Sequence, residues 1–198
     1  MNYITFDIET YIPEDLKKTQ SSSSGRLDTS IMKVSVIGAY FSWIDKYLVF
    51  YEEDVEDFIG ALQLADYVIG YNHIWFDLPV LQKYTKFNLN TLPNYDLMLE
   101  AQKKIGYKIK LDNLAQNNLT FKKTESYANY KDYYQNGKFF ELTDYCMHDV
   151  LITEQLFRMA LAQSSVKYND MLNVREIVLD LPSPISRSST NLNDHLFN

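Results

Sequence analysis

The stretch Tyr3-Ile4-Thr5-Phe6-Asp7-Ile8-Glu9-Thr10 constrains this chain most, because it reads as a buried strand that ends in charge. Its β-branched and aromatic residues, with no glycine or proline among them, favour a pleated and largely buried conformation. Successive strand side chains point to opposite faces, so Asp7 and Glu9 project from one face at the C-terminal edge. Two carboxylates forced together beside an apolar sheet repel one another unless a cation sits between them. A divalent metal is the economical explanation. Strand ends also carry acids simply because water begins there, so the pair acquires meaning only from the rest of the chain.

With 198 residues, 46% of them hydrophobic, the chain suits one α/β domain with a sizeable core. The formal net charge of −7 argues against a surface that grips nucleic acid everywhere, yet it leaves room for a local basic patch. Cys146 is the only cysteine, so no intramolecular disulfide forms and nothing points to secretion. No basic-then-apolar leader opens the sequence, and no apolar run approaches the roughly 20 residues of a membrane span. A soluble, cytoplasmic protein with no membrane partner is expected.

After the first strand, Tyr11 to Ser30 is polar and holds Ser21-Ser22-Ser23-Ser24-Gly25, which predicts a mobile loop over about residues 11–30 beside the site. Ile31 to Phe41 and Tyr47 to Tyr51 read as two strands joined by a turn at Ile44-Asp45-Lys46, so the sheet begins antiparallel. Asp54 is placed to cap a helix carrying Val55, Phe58, Ile59 and Leu62 at helical spacing. The following strand, Tyr67 to Asn72, completes a right-handed crossover that turns the sheet parallel. Phe76 to Tyr84 reads as a short helix with Pro79 in its first turn, where a missing N–H is harmless. Asn94 to Leu97 predicts a brief strand entering a helix through Ile105, capped by Asp96 and closed by Gly106, and Leu111 to Ala115 begins another helical piece.

A long amphipathic helix from Phe139 or Glu141 to about Ala162 should lie across the sheet, on the spacing of Leu142, Tyr145, Val150, Leu156 and Phe157. An edge strand at Val174 to Leu179 follows; residues 1–180 form the domain and 181–198 a polar, poorly ordered tail. Between Lys103 and Lys138, eight lysines against three acids leave a local charge of +5. Solvated helix ends and a phosphate-contacting rim explain that run equally well. The aromatics nearby (Tyr107, Phe121, Tyr127, Tyr130, Tyr133, Tyr134) could stack bases, although most aromatics are core.

Two further pieces join the opening strand. Gly70-Tyr71-Asn72-His73-Ile74-Trp75-Phe76-Asp77 places Asp77 at the start of the helix after the fourth strand, where a lone acid would ordinarily serve the helix dipole. Tyr145-Cys146-Met147-His148-Asp149 sets Tyr145 and Asp149 on one face of the long helix, one turn apart. An acid inside an apolar helical face needs a cation or a donor.

On Phe6-Asp7-Ile8-Glu9-Thr10, on Gly70-Tyr71-Asn72 followed by Phe76-Asp77-Leu78-Pro79, and on Tyr145-Cys146 followed by Asp149, the sequence resembles the DEDD 3′–5′ exonucleases. The likeness is to the tyrosine subgroup, closest to the exonuclease domain of family B DNA polymerases and related stand-alone exonucleases, and it covers roughly residues 3 to 160. A sister group carries histidine five residues before the last acid; here that position is Asp144. The resemblance implies an α/β, ribonuclease H-like mixed sheet, three antiparallel strands then parallel ones, flanked by helices. It also implies that Asp7, Glu9, Asp77 and Asp149 are catalytic metal ligands for two divalent cations, Mg2+ or Mn2+, and that Tyr145 positions the attacking water. Two metals about 3.5–4 Å apart stabilise the attacking and leaving oxygens of a phosphodiester.

The expected activity is therefore metal-dependent removal of nucleoside 5′-monophosphates from a single-stranded 3′ end of DNA or RNA, with replication or repair proteins as compatible partners. The alternative is a non-catalytic nucleic-acid-binding or polymerase-associated module that kept the fold. Thr10, Asn72 and Phe76 stand as substrate-contact positions; Asn72 also reads as a cap for the helix after it, and the cap is slightly favoured. His73 and His148 lack any zinc-site spacing and read as surface or packing residues, and Cys146 reads as a small buried residue rather than a nucleophile.

Overall fold

The computed structural model describes residues 1–16, 28–120 and 138–183. Strands β1 (Tyr3–Tyr11), β2 (Lys33–Phe41) and β3 (Lys46–Phe50) run antiparallel in succession. On the other side of β1, β4 (Tyr67–Gly70) and β5 (Asn94–Asp96) add in parallel, giving the order β3-β2-β1-β4-β5. The expected switch from antiparallel to parallel is present, and its physical cause is the intervening helix α1 (Val55–Leu62), which returns the chain over one face of the sheet.

β1 sits at the centre with both faces covered. Ile4, Phe6 and Ile8 enter one core with Val55, Phe58 and Leu62 of α1 and with Leu78 and Leu81 of α2 (Asp77–Leu81). Tyr3, on the opposite face, joins a second core with Ile152, Leu156 and Phe157 of α5 (Phe139–Gln163), a layer completed by α3 (Leu97–Ile105) and α4 (Leu111–Asn118). The even residues of β1 thus face α1 and α2, and the odd ones, Asp7 and Glu9 included, belong to the α5 face. Among the described residues no helix is long and apolar enough to cross a membrane.

Several boundaries differ from the sequence expectation. The fourth strand stops at Gly70 instead of Asn72, because Asn72 takes a left-handed conformation (φ 66°) that no strand accommodates. The helix expected over residues 76–84 is α-helical only to Leu81 and tightens into a 3-10 turn over Gln82–Tyr84. Asp54 occupies the cap position of α1 but its carboxylate accepts from the Tyr51 amide, 3.0 Å away, behind the helix. The C-terminal strand is not an edge of the main sheet. A left-handed Ser164 ends α5, and β6 (Ser165–Asn169) and β7 (Val174–Val178) form a separate antiparallel hairpin. Of the expected loop over residues 11–30, positions 17–27 lie outside the described residues, as do Phe121, Lys122, Lys123, Tyr127, Tyr130, Lys131, Tyr133 and Tyr134, and residues 184–198 of the tail.

Asp96 does more than the cap predicted for it. Its carboxylate accepts from the Met98 and Leu99 amides at the start of α3 (3.0 and 3.2 Å) and also from the Asn72 and Ile74 amides (2.9 and 3.2 Å). With 1% of its surface exposed, it ties the loop after β4 to the end of β5. Losing a cap costs about 0.5–2 kcal/mol and each orphaned buried amide about 1–3 kcal/mol more. Asp96→Ala should therefore lower the unfolding free energy by about 3 kcal/mol, well beyond a cap alone, as measured by urea denaturation.

Candidate functional site

The site is set by how α5 lies on β1. Near the start of β1 the Tyr3 hydroxyl donates to Glu154 (3.2 Å) and its ring meets Phe157 edge-on at 5.1 Å. Four residues on, the Cys146 thiol lies 3.3 Å from the Asp7 carbonyl oxygen and 3.8 Å from its carboxylate. Four strand steps cover about 13 Å and the eight helix steps from Glu154 to Cys146 about 12 Å. Helix and strand therefore run antiparallel in matched register, and Asp149, between these two anchors, is carried over the same strand.

Close approach of the helix depends on Gly38 of β2, the residue paired with Asp7. A Cβ there would meet Met147 Sδ at 2.9 Å, Val150 Cγ2 at 3.0 Å and Cys146 Sγ at 3.2 Å. The Gly38 amide instead donates to Cys146 Sγ at 3.2 Å, so one sulfur stitches α5 to both strands. Cys146 is fully buried, as the packing reading expected. Burial pushes its thiol well above the usual range, and the charges of Asp7, Glu9 and Asp149 add to that. Of those three carboxylates, Asp7 is the one in contact with the sulfur. Tyr145, 9% exposed, stands one turn before Asp149 on α5.

Asp77 arrives from the other layer. β1 pairs with β4 only through Thr5, and beyond that stretch the Ile8 amide donates to Asp77 Oδ1 at 3.1 Å. Burial pushes the Asp77 carboxyl up to about 7, opposed by the Ile8 amide and reinforced by the charge of Asp96. A buried acid in that state is one that a neighbouring cation would return to its ionised form. The four carboxylates offer only hard oxygen donors, which suit Mg2+ or Mn2+ better than zinc. As the side chains stand, however, no three His, Cys, Asp or Glu residues among those described converge into a ligand set.

The remaining predicted contacts fall at the rim. Thr10 follows an irregularity in the β1–β2 register after Glu9, and its hydroxyl lies 3.8 Å from Met32 Sδ. Phe76 packs partly against the first core and is itself the residue before α2. Asn72 does not cap that helix, which corrects the favoured reading: four residues separate it from Asp77, Phe76 holds the cap position, and the Asn72 side-chain oxygen instead faces Lys108 Nζ at 3.4 Å. His73 is fully buried over Gly70, with Nε2 3.3 Å from Asn94 Oδ1 and Nδ1 3.4 Å from Asp96. Burial lowers its pKa despite Asp96 and Asn94, so the ring is a neutral packing group. His148, by contrast, is half-buried on α5. Sequence reasoning missed Gly38, the buried Glu154 that also accepts from Tyr47 (3.3 Å) and from Arg158, and the Asn72–Lys108 contact. A glycine inside a β-branched strand is the one signal that marks Gly38 beforehand.

The fold is shared with a known polymerase. The family B DNA polymerase from the hyperthermophilic archaeon Pyrobaculum calidifontis is similar to this chain with a TM-score of 0.56 at 18% identity, over 81% of this chain and 24% of the polymerase chain. The five-stranded mixed sheet flanked by helices is of the ribonuclease H-like kind. No protein-family model matches the sequence, and no curated relative matches it.

Two outcomes follow from this geometry. Gly38→Ala should destabilise the chain by about 1–3 kcal/mol through overpacking against α5, measured by thermal or urea denaturation. His73, protonated below about pH 6.5 when unfolded but held neutral in the fold, contributes stability that is complete above that pH and lost as pH falls below it. Denaturation midpoints should drop below about pH 6.5, and His73→Gln should flatten that slope.

Proposed function

We propose that the chain is a metal-dependent 3′–5′ exonuclease that hydrolyses the terminal phosphodiester of single-stranded nucleic acid and releases nucleoside 5′-monophosphates. The observation that carries this reading is the meeting of three separated pieces at β1: Cys146 of α5, the helix that bears Asp149, reaches Asp7, and Asp77 accepts from the Ile8 amide between Asp7 and Glu9. A fold shared with part of a family B DNA polymerase supports it. Asp7, Glu9, Asp77 and Asp149 would hold two divalent cations, Mg2+ or Mn2+, whose chemistry is to stabilise charge on the attacking and leaving oxygens and to lower the pKa of water.

The chain's own residues supply position. Asp7 and Glu9 ride on a strand covered on both faces, and Asp149 on a helix fixed at two points. The Tyr145 hydroxyl orients the attacking water from one turn before Asp149. Thr10, Asn72 and Phe76 contact the strand end.

The second reading, a binding module without catalysis, is favoured by one observation: the donors among the described residues do not converge on a common point. Against it stands the cost of keeping four acids at one strand end, which a binder has no need to bear. A 5′-labelled oligonucleotide incubated with Mg2+ or Mn2+ should yield a descending ladder that is lost with chelator and lost in Asp7→Ala. Tyr145→Phe should keep cation binding by calorimetry while slowing hydrolysis about 10²-fold or more. Absence of a ladder with intact oligonucleotide binding would establish the binding module instead.

A further inference from the structure

We propose that the groove of about 620 Å³ beside Asn72, walled by Tyr107, Lys108, Lys110 and Gln116, receives the sugar-phosphate backbone of a single-stranded nucleic acid upstream of the bond to be cut. This rests on the exonuclease reading for which end of the strand enters; the groove's own chemistry supplies the rest.

The structure distinguishes four lysines of the basic run that the sequence left ambiguous. Lys103 is engaged by Glu100 at 2.5 Å and Lys104 by Asp180 at 2.8 Å, so these two belong to helix-surface ion pairs. Lys108 and Lys110 are exposed and enter no ion pair among the described residues. Ile109 between them is buried at 5% exposure, and its carbonyl accepts from the Tyr71 hydroxyl at 2.6 Å. Lys110 is extended, and exposure alternates across Lys108, Ile109 and Lys110, so both lysines fall on the outer side, about 6.5 Å apart in extended geometry. That separation is close to that of successive phosphates in an extended strand.

This segment is fastened to the candidate site at two places. Tyr71, which holds Ile109, directly follows β4, and Lys108 Nζ lies 3.4 Å from Asn72 Oδ1. Phosphates on the lysines would therefore be continuous with a strand end at Asn72. The Tyr107 ring, 49% exposed, offers a face for a base. Two acids also line the groove, Asp112 and Asp170, and the latter is engaged by Arg175. A polyanion thus meets two lysines that enter no ion pair among the described residues, set against Asp112 and against Asp170, whose charge Arg175 offsets.

Fluorescence anisotropy with a labelled single-stranded 12-mer in chelator, where no turnover occurs, tests the groove separately from catalysis. Lys108→Ala with Lys110→Ala should weaken binding about tenfold at low salt whatever the base sequence, and should make the slope of log K against log salt shallower by about 1.4, for two phosphates released. The loss should be much smaller for a dinucleotide, which is too short to reach the groove. Lys103→Ala with Lys104→Ala should leave affinity and slope unchanged. Unchanged affinity and slope in the Lys108/Lys110 double variant, or no binding of the 12-mer by the unaltered chain, would overturn the proposal. A descending ladder alongside that result would leave the exonuclease reading standing, and weakened binding without a ladder would do the reverse.

Discussion

The helix α5 is held in register against β1 at two points, and nearly everything at the candidate site depends on that register. At one end a buried glutamate, Glu154, accepts from Tyr3 and Tyr47 and is engaged by Arg158. Desolvation and the Glu154 charge push the Tyr3 hydroxyl up to about 12, so it stays a donor at any physiological pH. At the other end Cys146 reaches Asp7 and the Gly38 amide. A helix advances about 1.5 Å per residue and a strand more than twice that, so the two can stay aligned only where such fixed contacts pin both ends. Between the pins, the position of Asp149 follows from helix geometry alone.

The second organising feature is electrostatic and works from the other layer. Asp96 gathers four backbone amides and thereby fixes the left-handed turn at Asn72 that leads to Asp77. Asp77 in turn satisfies the Ile8 amide beyond the point where β4 stops pairing with β1. The same contact that closes an open strand edge also brings a fourth carboxylate to the strand that bears Asp7 and Glu9. Burial leaves Asp77 short of a compensating charge while it fills this structural role.

The sequence was informative wherever periodicity or a local motif carries the physics. Alternation along β1 placed Asp7 and Glu9 on one face, and four-residue spacing placed Tyr145 with Asp149 on α5. Gly106, at φ 88°, closes α3 as a glycine after a periodic run should. Less visible were roles created by partners distant in the chain. Nothing local distinguishes Glu154 from an exposed helix glutamate, and the second half of Asp96's bonding comes from residues more than twenty positions earlier. The β6–β7 hairpin escaped notice because a turn of Asp170 to Asn173 has no glycine to announce it and its outward face exposes Val174 and Val178.

By itself, then, the order of residues determined the strand-and-helix succession and the sidedness of each acid on its own element, since each of these depends on neighbours a few positions away. Which acids share a neighbourhood, which lysines are already paired, and whether a histidine is surface or core were decided only by tertiary structure. Those properties arise from desolvation and from contacts between residues far apart in the chain, and neither is encoded in spacing.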